Sequence, residues 1–287
     1  MGFHKQPNDW TCGPFALKHA LIALGKMVDG ERLKKLAGTH WWSGTDEIGL
    51  ARAARANGCD LRFERRRSPD PARRALAAEL QRGTPVLLCV DDWEHWITVV
   101  GRERSGLVII DSNLDPVLQI VTWPTLLRRW RYLDYDYDAD EPPALFDMYA
   151  IEARFRVAMR ADFSEARVRF LRRAGNRELA EQWDIYLEDL LDICRPPTTR
   201  SHERLSMPEF LRRHQDMLLD RVIYWHGDIE RRALVKLLRN FRFVAETYGL
   251  VIPAVQARQA IADFAILTTM WAVATRGVGD MYGTTGR

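Results

Sequence analysis

Long apolar runs are missing from this sequence. The longest late one, Phe264 to Thr275, is twelve residues held between Asp263 and Arg276, and a spanning helix needs about 20. The opening MGFHKQPNDW has no apolar h-region, so a secretory signal is not expected. Gly2 makes no myristoylation site, because position 6 is Gln rather than Ser or Thr. Cysteine is scarce, with four in 287 residues (Cys12, Cys59, Cys89, Cys194), no CxxC pair and no clustered His. That spacing speaks against structural zinc, and a chain this large needs no disulfide framework. The compartment expected is the cytoplasm, with thiols reduced. Charge of one sign is also lacking: 42 Lys and Arg face 39 Asp and Glu, a net of +3. Neither a nucleic acid nor a membrane is therefore expected as a partner.

What is present is ordinary globular composition, 47% hydrophobic and 28% charged, which excludes a disordered or fibrous chain. Ten Trp supply ample apolar volume for a core. The length fits one large domain or two modest ones at a prior of roughly 100–200 residues each.

Local patterns divide the chain. Phe15 to Leu24 reads as a buried helix stopped by Gly25, and Thr45 as the cap of a second helix carrying Leu50, Ala53 and Ala54. A short strand is expected around Leu61 to Glu64, then a Pro69-led helix with Leu76 and Leu80. Pro85 to Val90, Trp96 to Val100 and Leu107 to Ile110 are apolar runs of strand length, the last two a hairpin. Val117 to Val121 predicts a further strand and Trp123 to Arg131 a short helix. The acidic and proline-rich segment from Asp134 to Pro143 reads as a linker. Beyond it the pattern is helical, with Ser206-Met-Pro-Glu209 a strong helix start and Trp225-His-Gly-Asp228 a helix–helix junction. The fold class expected is α+β over residues 1–140, followed by an all-α domain over 141–287.

Chemistry concentrates at Gln6-Pro-Asn-Asp-Trp-Thr-Cys12-Gly13-Pro14. Cys12 falls at the front of a helix, where unpaired backbone N–H groups and the positive end of the dipole favour a thiolate. Gln6 could aim a carboxamide donor at the same place, as an oxyanion hole requires. A thiol nucleophile needs a base and the base an orienting group. His95 opens the strand running to Gly101, and mirroring it across the hairpin in a regular register lands on residues 111–113, where Asp111 is the natural acceptor.

These residues resemble the C39 peptidases, papain-like cysteine proteases that trim leader peptides. The likeness rests on Gln6–x5–Cys12-Gly13, a His opening a strand that runs into Val-Val-Gly, and a strand ending in Asp, and it covers about residues 4–130. It implies a papain-like fold, with Gln6 in the oxyanion hole, Cys12 as nucleophile, His95 as base and Asp111 orienting it. Two positions depart from the family pattern: Thr11 stands where Asp is common before the Cys, and Ser112 where Pro usually follows the Asp. The chain has neither a spanning helix nor the phosphate-binding GxxxxGK[ST] loop of the exporter fusions.

The expectation is a cysteine peptidase acting on a peptide or protein, without metal or cofactor, its helical domain recognising substrate or a protein partner. Two alternatives use the same residues: a thiol acyltransferase of the transglutaminase or phytochelatin-synthase kind, and a catalytically inactive binding module. His19 lies about two helical turns from Cys12, too far to serve as its base. His40, with Trp41 and Trp42, is expected in a packed loop, and Trp93 and Trp96 in the core with Cys59 and Cys89. The Arg run at 65–67 and the Arg pairs at 172–173, 212–213 and 231–232 read as salt-bridged surface.

Overall fold

The continuous apolar runs become a sheet buried on both faces. The computed structural model describes residues 2–104, 106–135, 142–197, 200, 203–226 and 229–276, and the chain divides between Asp184 and Ile185 into two compact units.

The first unit begins with helices α1 (Cys12–Ala23), α2 (Gly30–Ala37) and α3 (Glu47–Ala56), then β1 (Cys59–Arg66) and α4 (Pro69–Gln81). Strands β2 (Val86–Val90), β3 (His95–Arg102), β4 (Leu107–Ile110) and β5 (Leu118–Val121) follow, then α5 (Trp123–Trp130), β6 (Tyr132–Leu133) and β7 (Ala144–Ala153). The antiparallel sheet runs β1-β7-β2-β3-β4-β5, with β6 on the flank of β7. Short helices α6 (Glu165–Leu171) and α7 (Arg177–Glu181) complete the unit before α8 (Trp183–Ile193), which crosses the division.

Alternation along the strands sorts the core into two layers. Leu87, Cys89, Trp96 and Ile151 face α1, α2 and α3. Val86, Leu88, Val90, Ile97, Val99 and Met148 face α4 and α5. Because both faces are covered, β2 carries no polar residue. Helix α1 is buried along its whole length, lying between the sheet on one side and α2 and α3 on the other, so its sequence is apolar nearly all round. Gly13 permits that approach: a Cβ there would lie 3.0 Å from Cβ of Thr45.

Several expectations are corrected. Strand β7 lies between β1 and β2, so the sheet runs past residue 140 and the division falls at 184 rather than 140. Eight of its ten residues pair with β1, from Cys59↔Ala153 to Arg66↔Phe146, a partner far away in sequence. Asp46, not Thr45, caps α3, its Oδ1 accepting from the Gly49 N–H at 2.7 Å. Thr45 instead sits 2.7 Å from the Thr39 hydroxyl, and its carbonyl accepts from Trp96 Nε1 at 2.9 Å. Helix α2, capped by Asp29, has no counterpart among the sequence expectations.

The second unit is not all α-helical. It holds the remainder of α8, then β8 (Arg204–Ser206), α9 (Met207–His226), α10 (Arg231–Tyr248), β9 (Val251–Pro253) and α11 (Ala257–Arg276). Strands β8 and β9 pair antiparallel. Its core is built from Leu211 and Leu218 of α9, Leu237 and Phe241 of α10 and Phe264 of α11, with Asn240 donating to the Tyr186 hydroxyl at 3.0 Å. Gly227, Asp228 and the Gly277–Arg287 tail lie outside the described residues, as does most of the 134–143 segment. Among the described residues no helix is long and apolar enough to cross a membrane.

Candidate active site

Helix α1 starts at Cys12 on an uncapped end. Thr11 gives no side-chain cap and the first turn holds no acid. Pro14 has no N–H, so the free donors at this end come from Cys12 and Gly13. Nothing on α1 itself neutralises the positive end of its dipole beside the sulfur.

His95 and Asp111 meet because the β3–β4 hairpin is irregular. Leu107 pairs with Arg102 and Val108 with Gly101, but beyond a bulge Ile109 pairs with Val99 and Ile110 with Thr98. Continued past the ladder, the bulged register sets Asp111 opposite Ile97, on the same face as His95. A regular register from the turn would set it opposite Thr98, on the other face, since a one-residue slip exchanges faces. His95 Nε2 lies 2.7 Å from Asp111 Oδ1. The Cys12 side chain is the other group near enough to raise the His95 pKa. With Nε2 occupied by the carboxylate, Nδ1 is the nitrogen left for the thiol.

Burial pulls the His95 pKa down, but the hydrogen bond and charge of Asp111, followed by the nearby Cys12, outweigh it and raise the imidazole to about 9. Burial pushes Asp111 up, yet His95 and Arg129 together hold it below the ordinary carboxylate value. Every lone-pair direction of that buried carboxylate is used. Oδ1 accepts from His95 and, at 3.1 Å, from the Asn113 backbone N–H. Oδ2 accepts from both terminal nitrogens of Arg129, each at 3.0 Å. Asn113 thus serves through its main chain.

Gln6 is buried against the same strand end. Its N–H donates to the Ser112 carbonyl at 2.9 Å, and its Oε1 accepts from the Ser112 hydroxyl at 2.6 Å. One amide hydrogen goes to the Asn8 carbonyl at 2.9 Å. Among the described residues Gln6 makes no hydrogen bond to Cys12 or His95. Of the four expected residues, His95 and Asp111 are therefore directly linked, Cys12 acts on His95, and Gln6 is tied to Ser112, the neighbour of Asp111.

The β2–β3 connection carries strain. Asp91, Asp92 and Trp93 are consecutive non-glycine residues at φ 55°, 57° and 65°, a conformation costing roughly 1–2 kcal/mol per residue. Several contacts hold it. The Asp91 N–H donates to the Arg129 carbonyl at 2.7 Å, Arg129 returns two nitrogens to the Asp91 carboxylate, and Cys89 Sγ donates to the Trp93 carbonyl at 3.1 Å. Trp93 then stacks on Tyr132, with centroids 3.8 Å apart and planes 8° from parallel. The turn delivers His95 on one side and presents Trp93 on the other.

Cys12 opens into a groove of about 420 Å³ lined by Trp10, Trp41, Trp42, Trp93 and Trp96 with Asp9 and Glu94. The packed loop expected at His40 is instead a turn closed by two hydrogen bonds between His40 and Gly44. Trp41 and Trp42 stand 70% and 66% exposed at its tip. Trp93 is only half-buried, whereas Trp96, Cys59 and Cys89 are core as expected. His19 is fully buried, and burial, followed by the charge of Lys18, holds it neutral. Arg65 pairs with Asp147, Arg212 and Arg213 with Glu209, and Arg231 with Asp216 and Asp220.

Sequence reasoning missed Arg129, the tether of Ser112 to Gln6 and the Trp41–Trp42 turn. Gly44 at φ 64° was the one local signal for that turn. Arg129 gives no sign of itself in a basic helix end.

No family model matches the chain, and no curated protein matches it. Among solved structures it is similar to the peptidase domain of Streptococcus ComA, a bi-functional ABC transporter of a quorum-sensing pathway. That likeness has 17% identity and a TM-score of 0.38 over 51% of this chain and 96% of the other. A double glycine motif protease from an AMS/PCAT transporter, solved with a leader peptide, shows 16% identity and a TM-score of 0.39 over 52% and 89%. The peptidase domain of Streptococcus mutans ComA shows 16% identity and a TM-score of 0.31 over 51% and 98%.

Proposed function

We propose that the chain is a cysteine peptidase hydrolysing a peptide or amide bond, with Cys12 as nucleophile, His95 as base and then acid, and Asp111 orienting His95. The observation that carries this reading is the His95 imidazole held 2.7 Å from the buried Asp111 carboxylate, with the thiol of the helix-opening Cys12 near enough to help raise its pKa.

In this reading the Cys12 proton passes to His95, leaving a thiolate against an imidazolium. Sulfur attacks the carbonyl carbon, and the C=O electron pair moves onto oxygen. The Cys12 N–H and the second amide hydrogen of Gln6 receive that oxyanion. As it collapses, the C–N bond breaks and the imidazolium donates its proton to the leaving amine. Water, deprotonated by the now neutral His95, then splits the thioester and restores the thiol. Asp111 stays ionised throughout, as its two cationic partners favour.

Incubation of the chain with a complex peptide mixture, followed by mass spectrometry of new termini, tests this. Cleavage by the unaltered chain and none by Cys12→Ala is the expected result. A Cys12→Ala profile identical to the unaltered one refutes the reading, and products linked to an added amine would reassign the second step to acyl transfer.

A further inference from the structure

The Cys12 groove is charged against the chain as a whole. The sequence carries a net +3, yet Asp9 and Glu94 line the groove with no cation among its walls. A neighbouring cavity of about 320 Å³ shares Trp93 and Trp96 with it and adds Asp46, Glu47 and the Arg65–Asp147 pair. That pair is bidentate, at 2.6 and 2.7 Å, and self-neutralising. Asp9, Asp46, Glu47 and Glu94 form no ion pair among the described residues, Asp46 being engaged only through its cap bond to the Gly49 N–H. Glu47 and Glu94 are exposed at the rim. The cavity's own groups sense this field: burial first, then Asp147 and Glu47, push the Tyr149 phenol up.

We infer that this paired cavity is a cation-selective subsite, taking a lysine or arginine side chain of the substrate close to the bond that Cys12 attacks. Aromatic walls together with the exposed Glu47 and Glu94 carboxylates are surroundings that favour a guanidinium or ammonium, through cation–π attraction and charge-assisted hydrogen bonds. Arg65 already shows the geometry from within the chain, its guanidinium carbon 5.6 Å from the Trp93 ring centroid. An acidic side chain would meet Glu47 and Glu94 with no counter-ion. A neutral apolar one would fill the aromatic walls but leave those carboxylates without a partner. The inference names the substrate class of the peptidase reading and rests on it for the scissile bond, but the binding preference can be read separately.

The test is calorimetric binding to the Cys12→Ala chain, which cannot turn substrate over. Acetylated, amidated tetrapeptides carry either arginine or citrulline, its neutral isostere, at one position. The arginine peptide should bind about tenfold more tightly, and the gap should narrow as salt rises from about 0.05 to 0.5 M. The Glu47→Gln/Glu94→Gln double variant, altered only at exposed positions, should bring the two peptides within about twofold. Equal affinities in the unaltered groove, or no saturable binding of either peptide at millimolar concentration, overturn the inference. Selective arginine binding with an unreactive Cys12 would keep the subsite and discard the peptidase.

Discussion

Arg129 grips the Asp111 oxygen that His95 does not use, placing both terminal nitrogens 3.0 Å from Oδ2. The same guanidinium holds Asp91 at the start of the left-handed turn before His95. One residue of α5 therefore fixes the orienting carboxylate and the strand entry that carries the base. Arg129→Gln should lower stability by about 2 kcal/mol, the scale of a lost charge-assisted pair. It should also cut kcat with little change in KM. Arg129→Lys, with charge but no fork, should recover part of the stability and less of the rate. Urea unfolding and steady-state kinetics on the three proteins check this, and a KM effect alone would show that Arg129 does not position the base.

Asp111 governs the pH behaviour. The His95 pKa is raised from 6.5 to about 9, so its contribution to stability is complete below about pH 6.5 and is lost as pH rises through 9. Asp111 is lowered from 3.8, so its contribution is present above that value and is lost as pH falls below it. Stability should be flat between about pH 3.8 and 6.5, decline progressively from 6.5 to about 9, and decline again below 3.8. Activity, which needs the imidazolium–thiolate pair, should fall on its alkaline limb near pH 9. Asp111→Asn should move that limb towards neutrality and reduce kcat by roughly 10²-fold or more. A limb left in place would remove Asp111 from the account.

The parts of the site set by local pattern were readable in the sequence. A thiol at a helix front, a His opening an apolar strand and an Asp closing the next one are all features of short segments. What decided their meeting was not: the bulge beyond Val99 that turns Asp111 to the His95 face has no residue signature in Val-Val-Gly. Strand β7 carries no strand signal in the sequence, because Leu145 to Ile151 lacks alternation when both faces are buried and its partner β1 lies far back in the chain. Arg129 has the composition of a surface helix end. Only tertiary contact distinguishes it.

Gln6 offers a separate measure of the oxyanion step. Gln6→Ala should lower kcat by about 10²–10³-fold, as loss of an oxyanion donor does, with KM little altered. Ser112→Ala removes only the 2.6 Å tether to Oε1, so a smaller fall of about tenfold is expected from a donor held less firmly. Equal kinetics for Gln6→Ala and the unaltered chain would assign the oxyanion to backbone donors alone.

Trp41 and Trp42 stand largely in solvent at the groove. Replacing both with Ala should leave the unfolding midpoint nearly unchanged, within about 0.5 kcal/mol. KM for peptide should rise several-fold, because the pair forms groove wall rather than core. A stability loss without a change in KM would return the turn to the packed loop expected from sequence.

The most direct test is the alkylation rate of each cysteine against pH, read by peptide mapping after iodoacetamide. All four thiols are buried, so exposure alone gives none of them an advantage. The account predicts that Cys12 reacts first well below pH 8, ahead of Cys59, Cys89 and Cys194, and that His95→Ala removes its lead. Labelling of Cys12 no faster than the other three in the folded chain would contradict it.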